Sequence, residues 1–171
     1  MAKETVAKTD NNLKAAFAGE SQANRRYLAF AKKADKEGHK QVAKLFRAAA
    51  NAETVHALNH LEVMGVGGTA DNLKVAIAGE NYEFVTMYPG FIKDADRDGN
   101  EGATNTFSLA NHVEKIHYGL FQKALEAVNA NTEPPTKDYF VCQHCGNTVE
   151  GSAPDRCPIC GAPKTKFLKI D

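Results

Sequence analysis

Apolar side chains between residues 10 and 128 recur at alternating intervals of three and four positions, which is typical of amphipathic bundle helices. The pattern predicts four helices, over residues 10–37 and 39–64, from 69 onward, and after Gly99 up to 128. Thr69 is a suitable N-cap, and glycines follow the first three helices, as expected for C-terminal caps. Pro89 and Gly90 interrupt the third helix, so a kink is expected there unless a bulge absorbs the break.

The helical region consists of two copies of one unit. Three segments return with related sequences: NLKAAFAGE (12–20) as NLKVAIAGE (72–80), KADKEG (33–38) as DADRDG (94–99), and ETVH (53–56) as EKIH (114–117). The offset is 60 for the first pair and 61 for the other two, so one residue has been inserted near Pro89. Each copy is therefore expected to form one supersecondary unit of two helices.

Polar residues that can bind metals replace the leucines expected on each apolar stripe. A glutamate lies in the middle of the first and third stripes, and a Glu-x-x-His pair lies in the middle of the second and fourth: Glu20, Glu80, Glu53 with His56, and Glu114 with His117. Spacing of three residues places each Glu and His on one helical face. Glu83, one turn beyond Glu80, adds a fifth carboxylate.

Buried carboxylates of this number require cations, because without them each would carry a large desolvation cost or take up a proton. Mixed carboxylate and imidazole ligands favour iron or manganese over zinc alone or calcium. Glu-x-x-His is also common on solvated helix faces. Two copies in a duplicated unit, each matched by a glutamate, favour the ligand interpretation and follow the pattern of ferritin-like di-metal carboxylate proteins.

Two tyrosines lie near the predicted ligands. Tyr27 follows Glu20 by seven residues, and Tyr88 follows Glu80 by eight. Both are expected either as core aromatics whose hydroxyls need a hydrogen-bond partner, or as hydroxyls that bond the ligand carboxylates. The residue pattern leaves both interpretations open.

All four cysteines lie in two Cys-x-x-Cys-Gly turns separated by eleven residues: Cys142, Cys145, Cys157 and Cys160. This spacing lets both sulfurs of a turn face one metal, and the glycine permits the tight backbone. Four thiolates form a tetrahedral site for zinc or iron. A structural zinc ribbon is the alternative, but beside a di-metal bundle a redox-active iron is favoured. Disulfides are disfavoured because no secretory signal is recognised at the N-terminus.

Composition excludes several other classes of function. Lys plus Arg total 21 and Asp plus Glu total 21, so no basic surplus favours nucleic acid or anionic lipid. No stretch approaches the roughly 18 apolar residues of a membrane span. We therefore expect a cytoplasmic protein that binds neither nucleic acid nor membranes. The predicted domains are a bundle over residues 1–131, an extended linker over 132–138 with Pro134 and Pro135, and a cysteine domain over 139–171.

These features together resemble the rubrerythrin family over nearly the whole chain. The segments AGESQA (18–23), GENYEF (79–84) and CPICGAP (157–163) are similar to that family throughout. The resemblance implies a ferritin-like four-helix bundle joined to a rubredoxin-like domain. It implies two irons, oxo- or hydroxo-bridged when oxidised, and one iron held by four cysteines, with zinc as the alternative. It further implies that Glu83 and His56 exchange at one iron with redox state, and that Tyr27 and Tyr88 lie beside the cluster.

The resemblance also implies an activity, that of a non-haem peroxidase which reduces hydrogen peroxide to water. The residues with catalytic roles would be Glu20, Glu53, His56, Glu80, Glu83, Glu114, His117, Tyr27 and Tyr88. Electrons would enter through the four-cysteine iron from a rubredoxin-like donor or an NAD(P)H-dependent reductase. A ferroxidase or iron-handling protein is the alternative, but iron storage has no need of the cysteine domain as an electron inlet.

The short connection between the second and third helices bears on the assembly. Residues 65–69 reach at most about 18 Å, whereas a helix of about 26 residues is about 39 Å long. The ferritin-like arrangement needs these helices parallel, which this connection cannot span. Either the bundle is up-down-up-down, or the first hairpin of one chain packs with the second hairpin of another. We expect the second arrangement, a hairpin-swapped homodimer.

Overall fold

The structure is a computed structural model that describes residues 2–171, with side chains from residue 8 onward. It contains two compact units, Met1–Val66 and Gly67–Asp171. The predicted mainly α class with a small C-terminal domain is confirmed, since long helices precede three short strands: α1 Ala2–Lys36, α2 Lys40–Met64, α3 Thr69–Tyr82, α4 Tyr88–Arg97, α5 Glu101–Asn129, β1 Tyr139–Cys142, β2 Thr148–Glu150 and β3 Phe167–Ile170. None of the described helices combines the length and apolarity that crossing a membrane requires.

The first unit is a helical hairpin in which α1 and α2 pack through alanines. Ala43, Ala50 and Ala57 recur every seven residues along α2 and are almost fully buried, as are Ala31 and Ala34 of α1. Small side chains at this heptad interval let the two helix backbones approach closely. The interface between α1 and α2 is thus formed mainly by these alanines. Larger apolar side chains of α2 lie on its other faces.

In the second unit, residues 83–87 after α3, together with α4, pack against α5 through aromatic side chains. The ring centroids of Phe84 and Tyr118 are 5.4 Å apart, and those of Phe91 and Phe107 are 5.5 Å apart. Helix α3 begins one residue earlier than predicted: Gly68, and not Thr69, holds the N-cap position, and Thr69 is the first helical residue. Helix ends of this kind commonly differ from sequence-based expectation by one or two residues.

A π-helical turn, Glu83–Met87, joins α3 to α4 and takes up the predicted interruption. Its backbone closes with the N–H of Tyr88 donating to the carbonyl of Glu83, five residues back. Pro89 then lies in the first turn of α4, where a missing N–H costs little. The bulge therefore replaces the kink. It also explains the drift of the repeat, because a π turn holds one residue more than an α turn.

The C-terminal domain is a three-stranded antiparallel sheet in the order β2-β1-β3. Phe140 at its centre pairs with Val149 on one side and Lys169 on the other. Residues 132–138, the predicted linker, contain neither helix nor strand. The cysteine domain nevertheless belongs to the same compact unit as α3–α5, so the predicted three-part division stays a prediction.

Candidate metal centres

The first cluster of potential ligands lies between α1 and α2. One ligand atom from each of Glu20, Glu53 and His56 lies within 4.8 Å of the other two. His56 Nδ1 is 2.9 Å from Glu53 Oε2. A hydrogen bond shared with Glu53 raises the pKa of Glu20, and the same bond, with that to His56, lowers the pKa of Glu53. Two carboxylates that share a proton in this way are arranged to share a cation.

A polar contact close to this cluster holds the two helices in register. The side-chain amide of Asn24 donates to the carbonyl of Ala50 at 2.6 Å and to Thr54 Oγ1 at 2.8 Å. Asn24 lies one turn beyond Glu20, and Thr54 follows Glu53 directly. The contact thereby fixes the position of Glu20 along the helix axis relative to Glu53 and His56 of α2.

The second cluster lies between α3 and α5 and repeats the first. Ligand atoms of Glu80, Glu114 and His117 lie within 4.8 Å of one another. His117 Nδ1 is 2.8 Å from Glu114 Oε2 and 3.8 Å from Glu80 Oε1. Glu80 Oε2 is buried and has no hydrogen-bond partner among the described residues. A buried carboxylate oxygen without a donor is a costly arrangement unless a ligand completes it.

The electrostatics of the second cluster favour a bound cation. Burial, with repulsion from Glu114, raises the pKa of Glu80 to about 7. The same two causes raise the pKa of Glu83. The hydrogen bond to Glu114 raises the pKa of His117, which draws a proton toward the cluster. Protons or cations therefore lower the repulsion among these carboxylates. A pair of divalent or trivalent cations would replace those protons, and the donor set fits iron.

Glu83 and Tyr88 border the second cluster at the two ends of the π turn. Burial and the charges of Glu114 and Glu83 raise the pKa of the Tyr88 hydroxyl, so its ring lies within electrostatic range of the carboxylates. Glu83 stands outside the tightest group of ligand atoms. The role of Tyr88 beside the cluster stays a prediction. Tyr27 packs its ring against Phe30 and Phe46, with centroids 6.3 and 6.1 Å away.

The four cysteines converge on one point of the C-terminal domain. Their sulfurs lie within 4.8 Å of one another, and all four are free thiols. The Cys142–Cys160 and Cys145–Cys157 sulfur distances are 3.7 and 3.6 Å. A tetrahedron with metal–sulfur bonds of about 2.3 Å has edges of about 3.8 Å. The cluster therefore has the dimensions of a mononuclear four-thiolate site.

Backbone amides favour ionisation of one of these sulfurs, that of Cys157. Burial works against ionisation of Cys157, yet hydrogen bonds from the amides of Cys160 and Ile159 lower its pKa to about 7. Gly146 and Gly161, with φ of +85° and +74°, each donate an N–H to a cysteine carbonyl at 2.8 Å. Only glycine adopts this left-handed backbone without strain. Each turn thus aims further amides at sulfur, as thiolate ligands require.

Comparison with known proteins identifies the family. The family model described as Rubrerythrin matches residues 11–125, and that described as Rubrerythrin, rubredoxin-like domain, matches residues 140–168. The chain belongs to the rubrerythrin family. Rubrerythrin-2 of Clostridium acetobutylicum is 34% identical over 94% of this chain and 96% of its own length. Nigerythrin of Nitratidesulfovibrio vulgaris is 36% identical over 96% of this chain and 88% of its own length.

Solved structures extend the rubrerythrin relationship to the fold. Nigerythrin in a mixed-valence state is 34% identical, with a TM-score of 0.58 over 95% of this chain and 86% of that chain. Its fully reduced, all-ferrous state matches at 33% identity with the same TM-score and coverage. Membership of the rubrerythrin family makes this chain an oxidoreductase, and its carboxylate–histidine and four-cysteine clusters imply iron binding.

The structure groups most of the predicted ligands of this rubrerythrin but also shows contacts that the sequence did not reveal. The assignment of the clustered residues as ligands stays a prediction. Thr148 of β2 lies 2.9 Å from His117 Nε2, and the buried Asn147 directs its amide to Cys157 Sγ at 3.6 Å. Both contacts depend on tertiary packing, so the sequence does not predict them. Its only relevant signal is that polar residues follow the first Cys-x-x-Cys-Gly turn.

Proposed function

We propose that this protein is a non-haem peroxidase that reduces hydrogen peroxide to water with electrons relayed through an iron–tetracysteine site. One observation carries the proposal: the carboxylate–histidine cluster of α3 and α5 and the four-cysteine cluster belong to one compact unit and meet at the His117–Thr148 contact. An electron inlet adjoining a di-metal site serves a reductive reaction. Storage of iron would require no such inlet, which disfavours the ferroxidase alternative.

The proposed reaction takes up two electrons and two protons, and converts one hydrogen peroxide into two water molecules as the O–O bond breaks. When bound, a reduced iron pair supplies both electrons, one from each iron. Glu20, Glu53 and His56, with Glu80, Glu114 and His117, would hold the pair. Glu83 would add a carboxylate to balance the higher charge after oxidation. Tyr88 would direct its hydroxyl toward ligand carboxylates or peroxide, and Tyr27 has the corresponding predicted role in the first unit.

A cavity of about 490 Å³ offers a small substrate a route to the second cluster. Glu80 and His117 line it together with Thr148 and Tyr139 of the cysteine domain. The remaining walls are largely apolar side chains of α3 and α5. A largely apolar cavity lined by two candidate ligand residues favours a small neutral molecule such as hydrogen peroxide over a charged substrate.

The remaining components of the proposal follow from the family. Two irons would occupy the carboxylate–histidine ligands and one iron the four cysteines, where zinc is the alternative. A rubredoxin or an NAD(P)H-dependent reductase would be the electron donor, which makes the activity NADH-linked through an external protein. The cytoplasm, where such reductases and reduced thiols are found, is the proposed location.

A peroxide pulse tests the proposed activity. Iron-loaded protein is reduced under anaerobic conditions, mixed with one equivalent of hydrogen peroxide, and followed by absorbance and Mössbauer spectroscopy. We expect the di-iron pair to reoxidise first and the four-cysteine iron to follow, with peroxide consumed. The proposal fails if both centres stay reduced. Uptake of extra iron with little peroxide consumption would instead support the ferroxidase alternative.

We further propose that the protein is a hairpin-swapped homodimer. The segment between α2 and α3, residues 65–68, spans at most about 14 Å, whereas α2 with its 25 residues is about 37 Å long. A segment of this length supports an arrangement in which α2 and the α3 parallel to it come from different chains. Exchange of hairpins keeps the ferritin-like helix directions, and places Glu20, Glu53 and His56 with Glu80, Glu83, Glu114 and His117 of the partner subunit.

Exposed apolar side chains support association with a second copy of this chain. Leu45, Leu58 and Val63 of α2 are 67, 58 and 72% exposed, and Val75 of α3 is 73% exposed. Large apolar side chains at these levels on both units mark faces that association covers. A hairpin-swapped partner brings such a face of α2 to the partner's second unit.

Complementation between two inactive variants distinguishes exchange from an up-down-up-down chain. Glu53→Gln removes a ligand of the first unit, and Glu114→Gln removes one of the second. In a swapped heterodimer of these chains, one site combines both defects and the other is intact. We expect the heterodimer, isolated through two different affinity tags, to recover half of the wild-type di-iron content.

Each homodimer of a single variant serves as the control, since all of its sites carry one defect. An unswapped protein would also leave every site of the heterodimer with one defect. No recovery of iron in the heterodimer, or a wild-type protein that is monomeric with full di-iron content in light scattering, would overturn the exchange.

A further inference from the structure

A histidine outside the two clusters, His60, lies on the same face of α2 as the candidate ligands of the first cluster. It follows His56 by one helical turn and is half-buried. His56 contacts the carboxylate of Glu53, three residues before it. The corresponding residue before His60 is Ala57, and no hydrogen bond or ion pair among the described residues involves the ring nitrogens of His60. The imidazole of His60 can therefore bind a group that α2 does not supply.

The antiparallel course of α1 and α2 brings Glu20 and His60 toward each other. Asp35 pairs with Arg47 at 2.7 Å near the connection of the two helices, and Asn24 contacts α2 further along it. Glu20 lies one turn beyond Asn24 in this direction. Helical side chains lean toward the N-terminus of their own helix. Because the two helices run in opposite directions, Glu20 leans toward the level of His60, and His60 leans back toward Glu20.

Electrostatic interactions place His60 within range of the first cluster. The pKa of Glu20 is raised mainly by its hydrogen bond with Glu53, and the charges of His56 and His60 act against this rise. His60 stands outside the tightest group of ligand atoms, and Glu83 has the same relation to the second cluster. Each cluster is thus bordered by one additional residue of a type that binds metals.

The two hairpins share one internal geometry. The His–Glu contacts match, at 2.9 Å between His56 and Glu53 and 2.8 Å between His117 and Glu114. Three aromatic rings in each hairpin have the same centroid separations of 6.3, 6.1 and 5.5 Å: Tyr27, Phe30 and Phe46 in the first, and Tyr88, Phe91 and Phe107 in the second. Residues related by the repeat therefore occupy equivalent positions within their hairpins.

The repeat counterpart of His60 shows what this position faces. Phe121 follows His60 by 61 residues, the offset that also relates His56 to His117. In the second hairpin, Phe121 lines a cavity together with Glu80 and His117. His60 therefore borders the first cluster as Phe121 borders the second. An imidazole at this position can bind a metal, whereas a phenyl ring has no donor atom.

We infer that His60 is a further metal ligand of the first cluster and makes the two halves of the di-iron centre chemically different. The first hairpin supplies two carboxylates and two imidazoles, and the second supplies three carboxylates and one imidazole: Glu20, Glu53, His56 and His60 against Glu80, Glu83, Glu114 and His117. Carboxylates offset the charge of ferric iron more than neutral imidazoles do, so iron held by the first hairpin is kept ferrous more readily. The inference rests on the proposed di-iron centre but not on its peroxidase reaction.

A count of the histidine nitrogens bound to iron tests the role of His60. Full-length protein with ¹⁵N-labelled histidine is loaded with iron, brought to the mixed-valence state, and studied by electron–nuclear double resonance. We expect three coupled imidazole nitrogens in the wild type and two in His60→Phe, which introduces the residue type of the repeat counterpart. His112→Phe, at an exposed position whose ring contacts the Ser108 carbonyl, is the matched control and should keep all three.

A second variant separates metal binding from packing. His60→Gln keeps a polar side chain at this position and should also show two coupled nitrogens. In His60→Phe the Kd for Fe²⁺, measured by competition with a chelator, should rise at least about 10-fold.

The outcomes distinguish this inference from the proposed function. Two coupled nitrogens in the iron-loaded wild type, three in either variant, or an unchanged Kd in His60→Phe would overturn the inference and leave the proposed function standing. Three nitrogens in a wild type that consumes no peroxide would support the inference and count against the proposed function alone. A wild type that binds no iron pair would overturn both.

Discussion

Glu114→Gln is expected to remove the di-iron centre and to slow reoxidation by peroxide at least about 100-fold. Glu114 is the carboxylate on which the second cluster depends, since it contacts His117 at 2.8 Å and its charge raises the pKa of both Glu80 and Glu83. Glutamine keeps the shape but loses the negative charge and presents a donor to the metal. Iron per chain, measured by elemental analysis after anaerobic loading, and the reoxidation rate in a peroxide pulse are the two readouts.

A matched control for this variant lies on the same helix. Glu126 is exposed, three turns further along α5, so Glu126→Gln changes the net charge equally without touching the cluster. It should keep full iron content and the wild-type rate. Full di-iron loading in Glu114→Gln would remove this residue from the ligand set and would weaken the proposed function with it.

Cys157→Ser is expected to separate the two halves of the proposed reaction. Cys157 is 2% exposed and has the lowered pKa of a thiol prepared for ionisation, so its sulfur should be a strong ligand. The variant should lose the metal of the four-cysteine site. Turnover driven by an external reductase should fall at least about 10- to 100-fold. A single reoxidation of chemically reduced di-iron by peroxide should stay near the wild-type rate.

Asp155→Asn provides the control for this variant. Its side chain is fully exposed in the same loop, and its interaction with Lys164 is a 3.9 Å surface ion pair. It should leave both rates unchanged. If Cys157→Ser retained donor-driven turnover while lacking the four-cysteine metal, electrons would have to enter the di-iron centre directly, and the relay would be wrong.

The duplicated sequence predicted the helical hairpins and the composition of both carboxylate–histidine groups. Helical periodicity is a local property, so spacing of three between Glu53 and His56, and between Glu114 and His117, was sufficient to place each pair on one face. The cysteine turns were predicted for the same reason, because two residues between the cysteines fix the sulfurs locally. The structure brings these groups together within 4.8 Å in each cluster.

The interruption near Pro89 depends on contacts that the local sequence does not record. Sequence allowed either a kink or a bulge, since proline removes one hydrogen bond in both cases. The structure contains the π turn Glu83–Met87, which preserves the packing of Phe84 and Phe91 on α5. The choice depends on side chains contributed by another helix, and no pattern within the third helix reports those contacts.

The sequence by itself determined the elements, the duplicated carboxylate–histidine pattern and the grouping of the four cysteines, because each follows from spacing along a helix or within a turn. Tertiary structure alone decided that the cysteine domain packs on α5, with Thr148 against His117 Nε2 and Gly146 over Val113. These residues are 31 and 33 positions apart in the chain. Contacts at such separations depend on how whole elements pack, and a single sequence carries no direct record of them.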